Sequence, residues 1–268
     1  MKNLKDYINE SILGDWNDVD ADKIARELEV KSFLSEYYGL KDKEYKITQD
    51  VDGFYRVDVD GDVFLKKDSP SITLDCFEFG TIRGNFNITH NTNIVDLYGF
   101  PKKISGVVII ANCPNLKSLR GCPKKANWFE CSRCSSLESL EGCPEEVTYD
   151  FHCTVCTSLK SLEYAPKKVG SDFDCSYCVS LTTLEGAPKT VGGDFDCSYC
   201  SSLESLEGAP RWVKNNFKCN SCTKLKNLKG CPERIKNRLY CMHCGDLDAT
   251  TYTPKICKGI VTKSMFAS

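Results

Sequence analysis

The sequence predicts a repeat solenoid, because one short motif recurs along most of the chain at a constant interval. The leading cysteines of successive C-x-x-C pairs lie 22 residues apart, and they are Cys131, Cys153, Cys175, Cys197, Cys219 and Cys241. Two leucines, a G-x-P corner and a closing aliphatic residue keep the same interval, as in Leu181, Leu184, Gly186 to Pro188 and Val191. A fixed interval of this size is typical of stacked copies of one structural unit.

Each part of the unit has a physical interpretation. In the string F-x-C the aromatic ring and the sulfur are two residues apart, so both point to one face of a short strand. The residue between them points to solvent. In the G-x-P corner, glycine accepts positive φ and proline fixes its own φ, which reverses the chain. One such unit cannot bury enough apolar surface alone, so we expect the copies to stack.

Less regular copies extend the array toward the N-terminus. Val63 to Asp68, Phe86 to Asn91 and Val108 to Cys113 fit the same frame, and the pattern fades after Leu247. The predicted solenoid therefore covers residues 63–245 in about nine coils.

The repeat resembles a known family. The string C-x-x-L-x-x-L-x-G-x-P-x-x-V, present as Cys178 to Val191 and as Cys200 to Val213, is similar to leucine-rich repeats of the BspA-like kind. This resemblance implies an α+β, leucine-rich-repeat-like, right-handed solenoid with a parallel β-sheet on its concave side, used mainly to bind other proteins. Residues 191–198, V-G-G-D-F-D-C-S, are also similar to repeat proteins encoded by large tailed phages.

The segments outside the repeats are predicted to cap them. Residues 1–44 show helical spacing at Leu4, Tyr7, Ile8 and Ile12 and again from Ile24 to Tyr38, so they form a small helical N-terminal region. The first of these helices is also similar to segments that target internal proteins of large phages into the capsid; the alternative is an amphipathic docking helix. Residues 45–62 read as a β-hairpin cap. Residues 246–268 form the C-terminal cap, with Ile256, Ile260, Val261 and Phe266 as its apolar residues.

Composition limits the classes of partner. The 268 residues are 41% hydrophobic and 27% charged, with a formal net charge of −2, which disfavours a general nucleic-acid binder. The sequence contains no apolar run of membrane-spanning length and no secretory h-region at the N-terminus. We expect a cytoplasmic protein, or a virion protein if a phage encodes it, that is monomeric unless its N-terminal helices dock it.

The chain has 18 cysteines, and three interpretations of the two cysteine ladders remain open. In the first interpretation the sulfurs are reduced and point inward, and the second cysteine of each pair bonds the backbone of its loop. Asn91 occupies the position of this second cysteine in an irregular coil. Alternatively, neighbouring pairs supply four thiolates to zinc. The third interpretation is disulfides, with Cys122 and Cys143 as the first candidates. The metal hypothesis concerns one set of residues: Cys131, Cys134, Cys153, Cys156, Cys175, Cys178, Cys197 and Cys200.

The outward strand positions beside each Phe are the candidate binding face. The predicted partner-binding residues are Trp128, Asp150, Asp172, Asp174, Tyr177, Asp194, Asp196 and Tyr199. Like charges opposed across strands destabilise a sheet, so these aspartates favour a basic partner or a cation such as calcium. The alternative is a solvated face copied by duplication, since residues 169–190 and 191–212 are nearly identical.

Catalysis has no support in the sequence. The three histidines, His90, His152 and His243, fall in distant coils, and no phosphate loop or dinucleotide fingerprint is present. We therefore predict a non-enzymatic module, without a cofactor, that binds another protein on its concave face. The alternatives are a structural component of a virion and a metal-binding protein that uses the C-x-x-C ladders.

Overall fold

A computed structural model describes residues 18–72 and 75–262 of the chain, which form a parallel β-solenoid of about nine turns with one N-terminal α-helix. Helix α1 spans Asp18–Phe33. The strands in chain order are β1 Tyr45–Gln49, β2 Tyr55–Val59, β3 Val63–Leu65, β4 Phe77–Ile82, β5 Phe86–Thr89, β6 Lys103–Ile104, β7 Val107–Ala111, β8 Lys125–Ala126, β9 Trp128–Glu130, β10 Glu146–Val147, β11 Phe151–His152, β12 Lys168–Val169, β13 Phe173–Asp174, β14 Thr190–Val191, β15 Phe195–Asp196, β16 Trp212–Val213, β17 Phe217–Lys218, β18 Arg234–Ile235, β19 Arg238–Tyr240 and β20 Gly259–Val261.

These strands form three sheets. The first sheet has ten parallel strands, which follow one another in sequence order as β3, β5, β7, β9, β11, β13, β15, β17, β19 and β20. It contains the F-x-C segments, so the predicted parallel sheet of the repeat solenoid is present. A second sheet stacks six two-residue strands from β8 to β18. The N-terminal sheet pairs β1, β2, β4 and β6.

The register of the first sheet places each residue beside its equivalent one coil away. Phe151 pairs with Phe173, Phe173 with Phe195, and Phe195 with Phe217. Their rings are fully buried and lie 4.9 to 5.3 Å apart along the stack. The cysteines of both ladders and the two leucine rows are buried beside them, so a single apolar column runs along the solenoid.

The second sheet was not foreseen from the sequence. Its strands contain the closing aliphatic residue of each repeat, and Val169 pairs with Val191 just as Val191 pairs with Val213. Each valine is buried while the residue before it points outward. Two residues are too few to show the alternation that identifies a strand in sequence, so only the buried position was recognised.

Two rows of residues with positive φ turn the chain at each coil. One row lies inside the C-x-x-C segments, where Val155, Tyr177 and Tyr199 have φ of 59°, 61° and 63°. The other row is the corner glycine, as at Gly186 with φ of 93°. A β-carbon on Gly186 would lie 2.3 Å from the carbonyl oxygen of Leu162, so the close approach of the previous coil also requires glycine.

The N-terminal region closes the first coil. Strands β1 and β2 form an antiparallel hairpin, and β2 pairs in parallel with β4. Helix α1 continues into a π-helix, Leu34–Tyr38, and a 3₁₀ turn follows at Asp42–Glu44. The side chains of Phe33 and Tyr38 are buried, and the Tyr38 hydroxyl donates to the Ile72 carbonyl at 2.7 Å. The apolar side of this region thus already covers the solenoid core.

The helix predicted around Leu4 to Ile12 lies outside the described residues. Among the residues that are described, neither α1 nor the shorter helical turns are long and apolar enough to cross a membrane.

The array continues beyond the last recognisable motif. Strand β20 pairs with β19, although its coil lacks the C-x-x-C pair. Ile260 and Val261 of the predicted C-terminal cap are half-buried in β20, whereas Ile256 remains 51% exposed. Phe266 lies outside the described residues. Main-chain pairing therefore carries the fold about one coil past the point where the side-chain pattern ends.

One corner departs from the glycine rule and provides a stability test. Tyr164 occupies the corner position with φ of 68° and is 62% exposed. A left-handed conformation costs an L-residue about 1–2 kcal/mol. We expect Tyr164→Gly to raise the free energy of unfolding by about 1 kcal/mol, measured as an increase in the urea midpoint at constant m.

Tyr149 is the matched control, because it is 60% exposed and is absent from the residues with positive φ. Tyr149→Gly should lower stability by about 0.5–1 kcal/mol, because glycine loses more conformational entropy on folding and no strain is relieved at this position. Equal losses from the two substitutions would show that the corner imposes no strain on Tyr164.

Candidate partner-binding face

Five of the predicted binding residues lie in two rows on the outer side of the first sheet. Asp150, Asp172 and Asp194 come directly before the buried Phe of their coils, and Asp174 and Asp196 come directly after. We call these five aspartates the acidic face. All five are half-buried, and the structure brings them together on three consecutive coils.

The first row forms a hydrogen-bonded ladder with the backbone. Oδ1 of Asp150 accepts the N–H of Asp172 at 3.0 Å, and Oδ1 of Asp172 accepts the N–H of Asp194 at 2.7 Å. Oδ1 of Asp194 accepts the N–H of Asn216 at 2.8 Å, and Oδ1 of Asn216 in turn accepts the N–H of Arg238. Each carboxylate is thus held by the next coil. Hydrogen bonds to the ionised form offset the repulsion expected between stacked aspartates.

The second row is fixed by a local turn. Oδ1 of Asp174 accepts the N–H of Ser176 at 2.8 Å, and Oδ1 of Asp196 accepts the N–H of Ser198 at 2.9 Å. Such bonds two residues along the chain are the Asx-turn pattern. Asp174 and Asp196 pair directly across β13 and β15. Both rows therefore present carboxylates whose positions are set by the backbone.

Lys218 limits the acidic face at its C-terminal end. Its Nζ lies 2.7 Å from Oδ2 of Asp194 and 3.8 Å from Oδ2 of Asp196. Burial would raise the pKa of Asp194, but hydrogen bonds from Lys218 and Asn216 outweigh it and the pKa is lowered. Burial raises the pKa of Asp196, and Ser198 and Lys218 offset this only in part. The negative charge not neutralised by Lys218 is therefore centred on Asp150, Asp172 and Asp174.

Tyr177 and Tyr199 form a stacked pair beside the aspartates. Their ring centroids are 4.3 Å apart with an interplanar angle of 5°, and the residues are 46% and 44% exposed. Both occupy the positive-φ position of the C-x-x-C turn, which fixes the direction of their side chains. Their N–H groups donate to Ser198 and Asn220 of the following coils. The pair is thus a rigid aromatic surface on an ordered backbone.

Trp128 differs from the other predicted residues because it is partly packed into the sheet surface. Its ring meets His152 edge-on at a centroid distance of 5.8 Å. Its Nε1 is the one buried side-chain nitrogen or oxygen without a hydrogen-bond partner within residues 18–72 and 75–262. Trp128 therefore borders the acidic face and exposes less surface than the two tyrosines.

The second cysteine ladder is a row of thiol donors. The thiol of Cys156 lies 3.1 Å from the carbonyl oxygen of Cys131, one coil earlier. The same contact recurs at Cys178 to Cys153, Cys200 to Cys175, Cys222 to Cys197 and Cys244 to Cys219, at 3.1 to 3.3 Å. Each thiol satisfies a buried backbone acceptor of the preceding coil. Of the three interpretations, this geometry favours the first, in which the sulfurs are reduced, point inward and bond the backbone.

Asn91 performs a similar task in the irregular coil. Its Nδ2 donates to the carbonyl oxygens of Lys66 and Ser69, and its Oδ1 accepts the N–H groups of Asn93 and Ile94. The amide is fully buried. Asn91 thus occupies the position that a cysteine holds in the later coils, because both side chains offer a hydrogen-bond donor to the main chain.

The other cysteine hypotheses gain no geometric support. All 18 cysteines, Cys122 and Cys143 included, are free thiols. In the part of the chain that the structure describes, no group of three His, Cys, Asp or Glu side chains is arranged to hold a metal ion. His90, His152 and His243 lie on separate coils, and His90 and His243 occupy the positive-φ turn.

Comparison with protein-family models finds no match, and searches of curated proteins and of solved structures likewise return no match of significance. The similarity to BspA-like repeats and to phage-encoded repeats therefore rests on the motifs alone. What the fold defines is the architectural class: a parallel β-solenoid with a short helical cap.

The buried thiols predict unfolding at alkaline pH. Burial, with contact to Cys200 and Cys222, raises the pKa of Cys175 and Cys197 well above its usual range. The unfolded thiol ionises near pH 8.5 while the folded thiol stays protonated, so the unfolded state binds fewer protons and stability falls as pH rises above about 8.5. The slope is about 1.4 kcal/mol per pH unit for each such thiol. Urea unfolding followed from about pH 7 to about pH 10 measures it.

A Cys175→Ala, Cys197→Ala variant serves as the control. It loses stability at neutral pH but removes two of the titrating groups, so its free energy of unfolding should fall less steeply above about pH 8.5. A slope equal to that of the wild-type chain would contradict the assignment of the pH dependence to these thiols.

Metal content tests the remaining alternative for the ladders. Protein purified without a chelator should contain zinc and iron only in substoichiometric amounts, measured by elemental analysis, because the ladder thiols are engaged with carbonyl oxygens. A stoichiometric metal that is lost when Cys175 and Cys197 are replaced would contradict this expectation.

Proposed function

We propose that the chain is a non-enzymatic protein-interaction module that binds a basic partner on the outer face of its first sheet. The observation that carries the proposal is the ordering of the acidic face. Its carboxylates hold hydrogen bonds from the backbone, and the adjacent tyrosines are stacked on one another. Pre-organised side chains lose little conformational entropy when a partner binds.

The chemistry of the face suits a protein partner. Tyrosine is enriched at the energetically dominant positions of interfaces, and the Tyr177–Tyr199 pair is nearly half exposed. Asp150 lies on one coil of the same sheet face and Asp172 and Asp174 lie on the next, about 4.8 Å away. A segment bearing Lys or Arg can pair with these carboxylates while its apolar groups cover the tyrosine rings. Lys218 repels such a segment and so sets the C-terminal limit of the binding surface.

A calcium site is less well supported than a protein partner. Oδ1 of each aspartate already accepts a backbone N–H, and the described residues form no three-ligand group. A virion role remains a hypothesis based on motif similarity. Any truncation that tests it must spare Val30 to Tyr38, because these residues are packed on the solenoid core.

Neutralising the acidic face tests the proposal. Asp150→Asn, Asp172→Asn and Asp174→Asn keep the side-chain oxygen that accepts each N–H, as Asn216 already does, and remove only charge. Three exposed ion pairs at about 0.5 kcal/mol each correspond to about tenfold in affinity. We expect the immobilised variant to retain about tenfold less of the partner that the wild-type chain captures from extract of the source cell, as quantified by mass spectrometry.

The control replaces three exposed acids on another side of the coils, with Glu138→Gln, Glu163→Gln and Glu204→Gln. It makes the same change in net charge and should capture the partner as the wild-type chain does. If both variants lose the partner equally, overall charge and not this face is responsible. If neither loses it, the acidic face is not the binding surface.

A further inference from the structure

A second charged surface, opposite in sign, runs along the same coils. It is formed by the two residues that follow each corner proline, and in the coils from Lys125 to Arg234 the second of these residues opens a strand of the second sheet. The charged members are Lys102, Lys103, Lys124, Lys125, Glu145, Glu146, Lys167, Lys168, Lys189, Arg211, Glu233, Arg234 and Lys255. Ten of them are Lys or Arg and three are Glu. We call this set the basic face, and it contrasts with a chain whose net charge is −2.

The glutamates neutralise part of the basic face. Glu146 lies between Lys125 and Lys168, with nitrogen–oxygen distances of 2.8 and 2.7 Å. Glu233 contacts Arg211 at 3.0 Å and Lys255 at 3.2 Å. These pairs are largely exposed, so their stabilising effect is small. Seven positive charges remain in excess, and the face is basic as a whole.

The longest basic run without a glutamate covers three consecutive coils. It consists of Lys167 and Lys168, then Lys189, then Arg211, and all four side chains are exposed. Glutamates of the flanking coils pair with the ends of the run, at Lys167, Lys168 and Arg211, through exposed ion pairs of small stabilising effect. The acidic face also covers three consecutive coils, from Asp150 to Asp196. Both runs advance by one coil at each step because both follow the 22-residue repeat. They therefore share the same spacing, about 4.8 Å per strand.

We infer that the basic face of one copy of this chain docks against the acidic face of a second copy. The inference rests on the proposed function and names its partner. Two solenoids with their axes aligned bring the cations of the basic run opposite Asp150, Asp172 and Asp174, the carboxylates that Lys218 does not neutralise, in register over two coils. The cations of a second copy already have the same strand-to-strand spacing as the carboxylates, because the same 22-residue repeat sets both. An unrelated basic segment has no such fixed spacing.

The two faces are distinct surfaces of the same chain, so the contact is heterologous. In each coil the basic residues precede the acidic ones by a few positions, as Lys168 precedes Asp172. A copy that uses its acidic face keeps its basic face available for the next copy. Heterologous contacts of this type form rings or open chains and not closed two-fold dimers.

Sedimentation velocity of the purified full chain tests this inference. At low ionic strength the average mass should rise with concentration above the 30.1 kDa of one chain. It should return to that of one chain at about 1 M salt, where the Debye length is about 3 Å. A wild-type chain that sediments as a monomer at every concentration and ionic strength overturns the inference.

Two variants assign the surfaces. The first carries Lys167→Glu, Lys189→Glu and Arg211→Glu; Glu145 and Glu233 already occupy this position in other coils, so the fold accepts it. The second carries Asp150→Asn, Asp172→Asn and Asp174→Asn. Each variant alone should be monomeric. Mixed together they should form a one-to-one dimer, because the first retains the acidic face and the second retains the basic face.

The matched control is Lys117→Glu, Lys160→Glu, Lys226→Glu, which reverses three exposed lysines outside the basic face. It should associate as the wild-type chain does, and its loss of association would overturn the assignment to the basic face. The outcome is separable from that of the proposed function. A monomeric wild-type chain that still loses its captured partner on Asp→Asn substitution disproves self-association alone.

Discussion

The structure depends on one constraint: every side chain in the first sheet has its own equivalent as its neighbour. The 22-residue register places Phe beside Phe and Asp beside Asp at the spacing of adjacent strands. A residue type that is kept from coil to coil must therefore pack or bond beside a copy of itself. Phenyl rings meet this condition by stacking, with interplanar angles of 13° for Phe173–Phe195 and 4° for Phe195–Phe217.

Aspartate and cysteine side chains meet the same condition by bonding to the backbone instead of to each other. An ionised aspartate cannot bond its own copy, so Asp172 accepts the N–H of Asp194 and leaves the like charges separated by a peptide group. A buried thiol donates to the carbonyl one coil earlier, as Cys178 does to Cys153. The ladder of carboxylates that we propose as a binding face is thus also part of what holds the coils in register.

Periodicity made the solenoid, its parallel sheet and its buried sulfurs predictable from sequence, because F-x-C and C-x-x-C recur together in five consecutive coils. The second sheet was missed, since a two-residue strand such as Lys168–Val169 has no alternation to detect. The outward position of the five aspartates followed from the position of Phe. The bonds from backbone N–H groups to Asp150, Asp172 and Asp194 did not, because those bonds depend on how far the next coil is displaced.

The side-chain hydrogen bonds between coils repeat the same pattern at each step. Each second-ladder thiol bonds backward to the preceding coil, and each first-row aspartate receives a bond from the following one. Any coil therefore fits between any two others. A coil added by duplication finds the hydrogen-bond donors and acceptors that it needs on both neighbouring coils. The near identity of residues 169–190 and 191–212 is what such growth leaves behind. The number of coils, and with it the length of the charged surfaces, is then free to change by whole steps during evolution without any redesign of the core.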